Sequence, residues 1–398
     1  MDKTKRTVIV SDGLWRKSLS AIRSLGKANF KVIVLGDSFF TTGFWSRYTS
    51  AFKIIPSVKT NSTKFNNLLV NLLKSLPFPS RPIFFPMEDD TLNWLSINRE
   101  FYSKYMDFAI PPHKSLLVAQ DKFKTMRLAS SLKIPTPKTF SFRGVKTFKS
   151  KLEEITSSGQ LKKYIIKPKS GTGSAGIVYL NSQLNINWDE HWNSYGSLLI
   201  QEKIPTDGRA VGVSFLIANG KRVIASFVHE RIKQYPNSGG PSTQRISIKH
   251  KELVARSEKL LTALNWHGVA MVEWKQDLNN GEFKLMEINP RFWGSLELAV
   301  RSGVNFPLLY AKCSIGESIN EVQNYSYGTK CRWLIPGDIL RYLTSKKEDR
   351  EKLKDFLSGL PKDSEEWDMK DIRGTISSII CPAFLAMNYK YWKYLFRK

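Results

Sequence analysis

The apolar pattern opens with Thr7 to Val10, a short β-branched run followed by Ser11-Asp12-Gly13 and then by Leu14, Leu19, Ile22 and Leu25 at mostly helical spacing. Apolar residues three to four apart mark one face of a helix, and short unbroken runs bounded by turn residues mark buried strands. Phe30 to Leu35 is again strand-like, so the chain begins β-α-β. A further run, Pro82 to Pro86, ends in the acidic turn Glu88-Asp89-Asp90. Such alternation implies a parallel sheet with helices on its faces, and residues 1–112 read as a Rossmann-like domain.

Pro111-Pro112 marks a boundary, and the spacing predicts a helix from Gln120 to Leu132 that Ile134-Pro135-Thr136-Pro137 breaks. From Tyr164 the pattern gives a strand, a glycine-rich loop, a strand to Leu180, a polar connection and a strand at Ser197 to Glu202. Val211 to Ala218 and Arg222 to His229 form a hairpin, turned at Asn219-Gly220 with the dipeptide that favours a type I′ turn. A helix at Lys251 to Leu264 leads to a further hairpin, Gly268 to Lys275 and Glu282 to Ile288, joined by Asn279-Asn280-Gly281. This middle region is α+β and mainly antiparallel. The expected organisation is 1–112, then 113–200 and 201–330 as two α+β subdomains, and 331–398 as a helical extension ending in a basic aromatic tail.

Composition narrows the function. Among 398 residues, 41% are apolar and 12% aromatic, enough to bury a sizeable core. The 61 Lys and Arg against 35 Asp and Glu give a net charge of +26, compatible with anionic substrates, an anionic membrane surface or nucleic acid. The basic residues are dispersed and no nucleic-acid-binding signature accompanies them, which disfavours nucleic acid. Cys313, Cys331 and Cys381 stand far apart without ligand-spaced histidines, so neither a disulfide framework nor a zinc site is expected, and a reducing, cytoplasmic setting fits. The opening residues offer no apolar segment of a secretory leader. The longest apolar stretch, Gly374 to Met387, falls short of the ~20 residues of a spanning helix and contains Pro382. The tail 388–398 interleaves Tyr389, Tyr391, Trp392, Tyr394 and Phe396 with Lys390, Lys393, Arg397 and Lys398, a composition that suits either an anionic membrane surface or docking on the body.

Two segments carry chemistry. In Ile165-Ile166-Lys167-Pro168-Lys169-Ser170-Gly171-Thr172-Gly173-Ser174-Ala175-Gly176, a lysine-bearing strand runs into a loop of small residues whose backbone N–H groups can close over phosphates. No Gly-Lys-Ser/Thr follows the glycines, which disfavours a Walker A loop, and the single glycine after the first strand disfavours a dinucleotide there. In the second, Glu273 lies on one hairpin strand and Glu287-Ile288-Asn289-Pro290-Arg291 on the other. Alternation along a strand puts Glu287 and Asn289 on one side and directs Met286 and Ile288 to the core. Hard oxygens thus converge in a set suited to Mg²⁺ beside nucleotide phosphates.

With Asp121-Lys122, Ile134-Pro135-Thr136-Pro137, the lysine and glycine loop, Gln201-Glu202, the hairpin glutamate and Glu287 to Arg291 in this order, the chain resembles the ATP-grasp superfamily over roughly residues 1–340. It looks closest to the carbamoyl-phosphate-synthetase-like branch. The resemblance implies a Rossmann-like pre-ATP-grasp domain followed by an ATP-grasp fold of two α+β subdomains. It implies that Lys122 and Lys167 contact the phosphates and that Ser170, Gly171, Gly173, Ser174 and Gly176 form the lid loop. Gln201 and Glu202 would lie at the adenine, Asp207 at the ribose, and Glu273, Glu287 and Asn289 would bind Mg²⁺ or Mn²⁺. Arg291 would stabilise the transferring phosphate, with Arg231 and Arg245 on anionic substrate groups and Trp293 either at the pocket or in the core.

The implied activity is an ATP-dependent carboxylate-amine ligase working through an acyl phosphate and releasing ADP and phosphate. Its partners would be a small carboxylate and a small amine, for example an amino acid joined to a carboxylated metabolite or cell-surface sugar, and a homo-oligomer is compatible. One module stands here where carbamoyl phosphate synthetases carry two, which disfavours carbamoyl phosphate synthesis. The competing expectation is a non-catalytic ATP-binding regulatory or scaffold protein on the same frame.

Overall fold

The computed structural model describes residues 6–77, 81–171, 176–180, 186–236 and 239–386. Its first unit comprises β1 (Thr7–Val10), α1 (Arg16–Lys27), β2 (Lys31–Gly36), β3 (Thr49–Ile54), α2 (Val58–Ser75), β4 (Ile83–Phe85), α3 (Asp89–Ile97) and α4 (Arg99–Tyr102). The four strands are parallel in the order β3-β2-β1-β4. The apolar run of β1 is buried here as expected. β3 escaped the sequence pattern because it is an edge strand with an exposed backbone course and no apolar run to announce it.

A connector follows, α5 (His113–Gln120) and α6 (Lys122–Ser131). The helix expected from Gln120 to Leu132 is α6; it starts at Lys122 because Asp121, whose backbone is extended, caps it by accepting the Lys124 N–H at 3.0 Å, and α5 before it was not expected. That cap starts a new helix at Lys122 and fixes where this lysine projects.

The next layer holds β5 (Thr139–Ser141), α7 (Val145–Ser157), β6 (Tyr164–Pro168), β7 (Val178–Tyr179), α8 (Trp188–Tyr195) and β8 (Leu198–Glu202), an antiparallel sheet in the order β5-β8-β6-β7. Phe148, Leu152 and Ile155 of α7 cover the face bearing Ile166, Leu198 and Ile200. The opposite face is therefore the one that presents Lys167 and Gln201.

The largest sheet is built from β9 (Ala210–Ala218), β10 (Arg222–Gln234), β11 (Ser242–Ile248), β12 (Gly268–Gln276) and β13 (Phe283–Asn289), with α9 (Lys251–Ala263) inserted before β12. α10 (Leu296–Arg301) and α11 (Phe306–Ser314) precede a sixth strand, β14 (Lys330–Arg332), and α12 (Ile339–Thr344), α13 (Leu353–Leu357) and α14 (Ile372–Ala386) follow it. The antiparallel order is β13-β12-β9-β10-β11-β14. The Asn219-Gly220 turn has positive φ at both residues, 52° and 74°, as a type I′ geometry requires. β10 runs five residues past the expected end at His229 and pairs with β11, a strand the sequence pattern did not predict. Gly239-Gly240-Pro241 masked that strand; what sets it is hydrogen bonding to β10, because its own residues are polar.

The two faces of this sheet serve different ends. Val211, Val213, Trp274, Leu285 and Ile288 pack against α6 and α9. The other face carries Met271 and Phe227 into a core shared with α1, α10 and α11 of the surrounding units. Along that second face one transverse row of the register reads Glu287, Glu273, Gly212, His229 and Ser247. The candidate chemistry therefore sits where the large sheet meets the first domain.

Candidate functional site

Glu273 and Glu287 are directly opposed across β12 and β13, with Asn289 opposite Met271 one step along. Between Glu273 and Trp274 the register slips, so that Met286 is extra on β13. This bulge corrects the expected alternation: Ile288 is in the core, but Met286 is only half-buried, and Leu285 takes the inward place opposite Trp274. Glu287 and Asn289 still share the site face. The Asn289 amide Nδ2 lies 3.1 Å from Glu273 Oε1 and 3.5 Å from Glu287 Oε1.

Cations surround this trio. Arg231 Nη2 is 3.3 Å from Glu273 Oε2, and its Nη1 donates to the Gly240 carbonyl at 2.9 Å. Lys122 Nζ is 3.6 Å from Glu287 Oε2 and donates to the Gly171 carbonyl at 2.7 Å, joining the start of α6, the end of the lid strand and the acidic strand. Lys167 is buried and donates to Gln201 Oε1 at 2.9 Å, while Gln201 Nε2 donates to Thr139 Oγ1 at 2.9 Å. Burial pushes the Lys167 ammonium down to about 8, with Glu287 opposing and Lys122 and Lys275 reinforcing that shift. Burial likewise raises the Glu273 carboxyl; Arg231 works against this and Glu287 adds to it.

Arg291, two residues past Asn289, turns toward the first domain. Its Nε is 2.7 Å from Asp89 Oδ2 and 3.8 Å from Glu88 Oε2, at the carboxyl end of β4. Burial alone would lower its affinity for the proton, but the two carboxylates outweigh that and raise it. Lys17 of α1 completes the group, 2.8 Å from Glu88 Oε1 and donating to the Phe292 carbonyl at 3.2 Å. Burial pushes Lys17 down to about 8 and the neighbouring Asp12 carboxyl up to about 6. Glu88, Asp89 and Lys17 were missed as site residues. The signal was present, since an acidic turn at the carboxyl end of a parallel strand stands where open α/β sheets bind ligands.

His229 occupies the same transverse row as the carboxylates. It is buried, its Nε2 3.2 Å from Ser295 Oγ and its Nδ1 without a partner among the described residues. Burial, then Arg245 and Arg231, drive it down to about 3, so the ring is neutral at pH 7. A Cβ at Gly212 would stand 2.3 Å from the His229 ring, which is why this row has a glycine between Glu273 and His229.

Other expected site residues fare differently. Arg245 is fully buried, paired with Glu365 and donating to the Ser242 carbonyl at 3.1 Å; burial pushes it down to about 10. It is therefore corrected from a substrate contact to an internal ion pair, enclosed by the C-terminal segment that carries Glu365. Trp293 lies in the core against Phe306. Glu202 accepts the Lys138 backbone N–H at 2.9 Å and pairs with Lys284 at 3.0 Å. It shares with Lys138, Lys163, Tyr164, Lys203 and Asp207 the lining of a cavity of about 610 Å³. Ser170 and Gly171 are exposed at the end of β6, and Gly176, with φ 71°, re-enters the sheet. Gly173, Ser174 and the tail 388–398 lie outside the described residues.

Residues 119–295, from Lys122 through both acidic strands, match the ATP-grasp domain family. Over 82% of the chain and 73% of its counterpart, the fold resembles the biotin carboxylase domain of Hydrogenobacter thermophilus 2-oxoglutarate carboxylase, solved with MgADP, ADP and bicarbonate, with a TM-score of 0.65 at 15% identity. It also resembles N5-carboxyaminoimidazole synthetase from Staphylococcus aureus, with a TM-score of 0.59, 14% identity and coverage of 83% and 82%. L-amino acid ligase from Bacillus licheniformis follows with a TM-score of 0.57, 15% identity and coverage of 79% and 75%. At such identities the likeness establishes the fold. No curated protein matches the chain. Residues 119–295 are thus similar to an ATP-grasp domain, and the fold of the chain is that of the three structures compared.

Proposed function

We propose that the chain is an ATP-dependent carboxylate-amine ligase that activates a carboxylate as its acyl phosphate and releases ADP and phosphate. The observation that carries this reading is the convergence of Glu273, Glu287 and Asn289 on paired strands, ringed by Lys122, Arg231 and, through the field of Glu287, Lys167. Two facing carboxylates with an amide oxygen available are hard donors that fit a divalent cation whose remaining positions phosphate oxygens fill. Mg²⁺ bound there would neutralise phosphate charge and act as a Lewis acid. The enzymes named in the three structural comparisons support the same class of chemistry.

The chain's own groups then have distinct tasks. Lys122 and Lys167 hold nucleotide phosphates, and Gln201 is a positioning residue that fixes the Lys167 ammonium through a buried hydrogen bond. Arg291 keeps its charge because Asp89 and Glu88 face it, so it can stabilise charge as a phosphoryl group passes to a carboxylate. The acyl phosphate is an electrophile that water would destroy, and closing Ser170 to Gly176 over the site would exclude water until an amine attacks. Arg231 is suited to an anionic acceptor group beside Glu273.

Two measurements test the reading. Calorimetric titration with ATP should show binding that requires Mg²⁺, and a panel of carboxylates should include members that release ADP and yield a hydroxamate when hydroxylamine replaces the amine. Magnesium-independent binding, or none, would remove the assignment. Binding should also depend on pH through Lys167. Only its charged form attracts phosphate, and with the free group near 8 the charged fraction falls from about nine-tenths at pH 7 to about one-tenth at pH 9. The dissociation constant for ATP is expected to weaken about tenfold over that interval, and Lys167→Arg should flatten the profile.

A further inference from the structure

The last helix, α14, is amphipathic in the wrong sense for a water-facing surface. Its inward face consists of small and polar residues: Gly374, Thr375, Ser377, Ser378 and Cys381 are buried. Ser377 Oγ donates to the Thr42 carbonyl at 2.9 Å, Thr375 Oγ1 donates to the Glu366 carbonyl at 3.0 Å, and the buried Asp371 carboxylate caps the helix start and pairs with Arg23 at 2.9 Å. The outward face is Ile372, Ile376, Ile379, Ile380 and Phe384, each between 41% and 57% exposed. The usual arrangement of a surface helix puts the apolar stripe against the core.

The apolar surface does not stop at the helix. Phe384 stacks on Phe40 with ring centroids 4.7 Å apart, and Phe40 leads to Phe39 and Trp45, all exposed, on the loop after β2. On its other side a groove of about 480 Å³, lined by Leu334, Ile335, Leu357, Leu360, Trp367 and Ile379, opens beside the helix. A contiguous apolar patch of this extent marks an interaction site.

We propose that this face docks on an anionic lipid bilayer, with α14 lying in the plane of the interface. Charge selects this occupant. No acidic residue occurs from Ile372 to Lys398, while Arg373, Lys390, Lys393, Arg397 and Lys398 are basic, and exposed Arg47 and Lys370 flank the helix start. A second copy would set the same basic rim against itself across a two-fold axis, whereas anionic headgroups complement it. The described residues end with α14, shortly after Phe384, and the sequence that follows, 387–398, interleaves Tyr and Trp with Lys and Arg, a composition that suits lipid headgroups. Among the described residues no helix is long and apolar enough to cross a membrane, so the helix lies on the bilayer. The inference goes beyond the ligase reading and does not depend on it.

The test is co-sedimentation of the full chain with vesicles of phosphatidylcholine, with and without about one-third phosphatidylglycerol, in the absence of ATP. The expected result is binding to the anionic vesicles that weakens in high salt. The variant Ile376→Ser/Ile379→Ser/Ile380→Ser should bind at least tenfold less tightly with an unchanged melting temperature, since its positions face solvent. Phe40→Ser, on a different element, should weaken binding in the same direction and guards against misfolding of α14. Unaltered vesicle binding by both variants would overturn the proposal. So would a dimer in solution that the triple substitution dissociates, which would assign the face to a second copy. Failure of the full chain to bind the anionic vesicles, or equal binding to vesicles without phosphatidylglycerol, would also overturn it.

Discussion

Glu287→Gln is expected to weaken ATP binding at least a hundredfold in the presence of Mg²⁺ and to leave the weak, magnesium-independent component in place. The carboxylate supplies one of two hard anionic donors on facing strands, and the amide that replaces it keeps the shape but loses the charge that holds a divalent cation. Loss of fold is not the cause to expect, because the position is a quarter exposed and its strand is paired through β12. Glu273→Gln provides the complementary measurement. The folded protein raises the Glu273 carboxyl above its ordinary value of 4.5. Between 4.5 and the raised value the folded state holds a proton that the unfolded state has released, so the contribution to stability is fully present below 4.5 and is lost as pH rises through the raised value. At neutral pH without metal, Glu273→Gln should melt no lower than the parent protein and should still fail to bind Mg-ATP. Calorimetry and thermal unfolding of the two variants separate a cation site from a structural carboxylate pair. Equal ATP affinity for parent and variants would end the assignment of these strands.

Glu365→Ala should have the largest effect on stability. Arg245 is wholly buried, and Glu365 pairs both with it and, at 2.7 Å, with Arg16, which also lies over the Trp333 ring at 4.4 Å. Removing the shared carboxylate strands a guanidinium in the interior, a change that costs about 3–5 kcal/mol in other proteins. Replacing the wholly buried pair by apolar residues, as in Arg245→Met with Glu365→Leu, should recover part of the loss, because no guanidinium is then enclosed at Arg245, while Arg16, about a fifth exposed, loses its carboxylate but keeps contact with water. Chemical denaturation monitored by tryptophan fluorescence measures both. ATP affinity measured well below the melting transition should be nearly unchanged in the double variant, which distinguishes this pair from the groups around Glu287. A large loss of affinity there would return Arg245 to the site.

How legible the site was depends on which residues are considered. Lys167, Asn289 and Arg291 sit beside proline, and Glu287 three residues before one, in short segments whose local order already implies strand, loop and strand, and the structure brings Lys167, Glu287 and Asn289 near one another. Arg231 and Arg245 looked equivalent in sequence, two arginines in a polar stretch; they are in fact directly opposed on β10 and β11. Burial and ion pairing separate them: Arg231 is partly exposed beside Glu273, whereas Arg245 is enclosed with Glu365, 120 residues away. Glu88 and Asp89 were visible only as a turn, because their partners Lys17 and Arg291 come from elements far away in the chain.

The chain's local patterns by themselves determined the parallel opening unit, the two-residue periodicity of the central hairpins, the type I′ turn and the set of hard oxygens on β12 and β13. These depend on alternation, turn chemistry and residue type within a few positions, all of which a linear sequence records. Tertiary structure alone decided that β10 continues past His229 to pair with β11, that Met286 is bulged so Leu285 points inward, that Arg291 is held by the first domain, and that α14 turns its isoleucines outward. Each of those outcomes is set by hydrogen bonding, ion pairing or burial between segments tens to hundreds of residues apart, and no local pattern encodes which distant group will satisfy a strand edge or a buried charge.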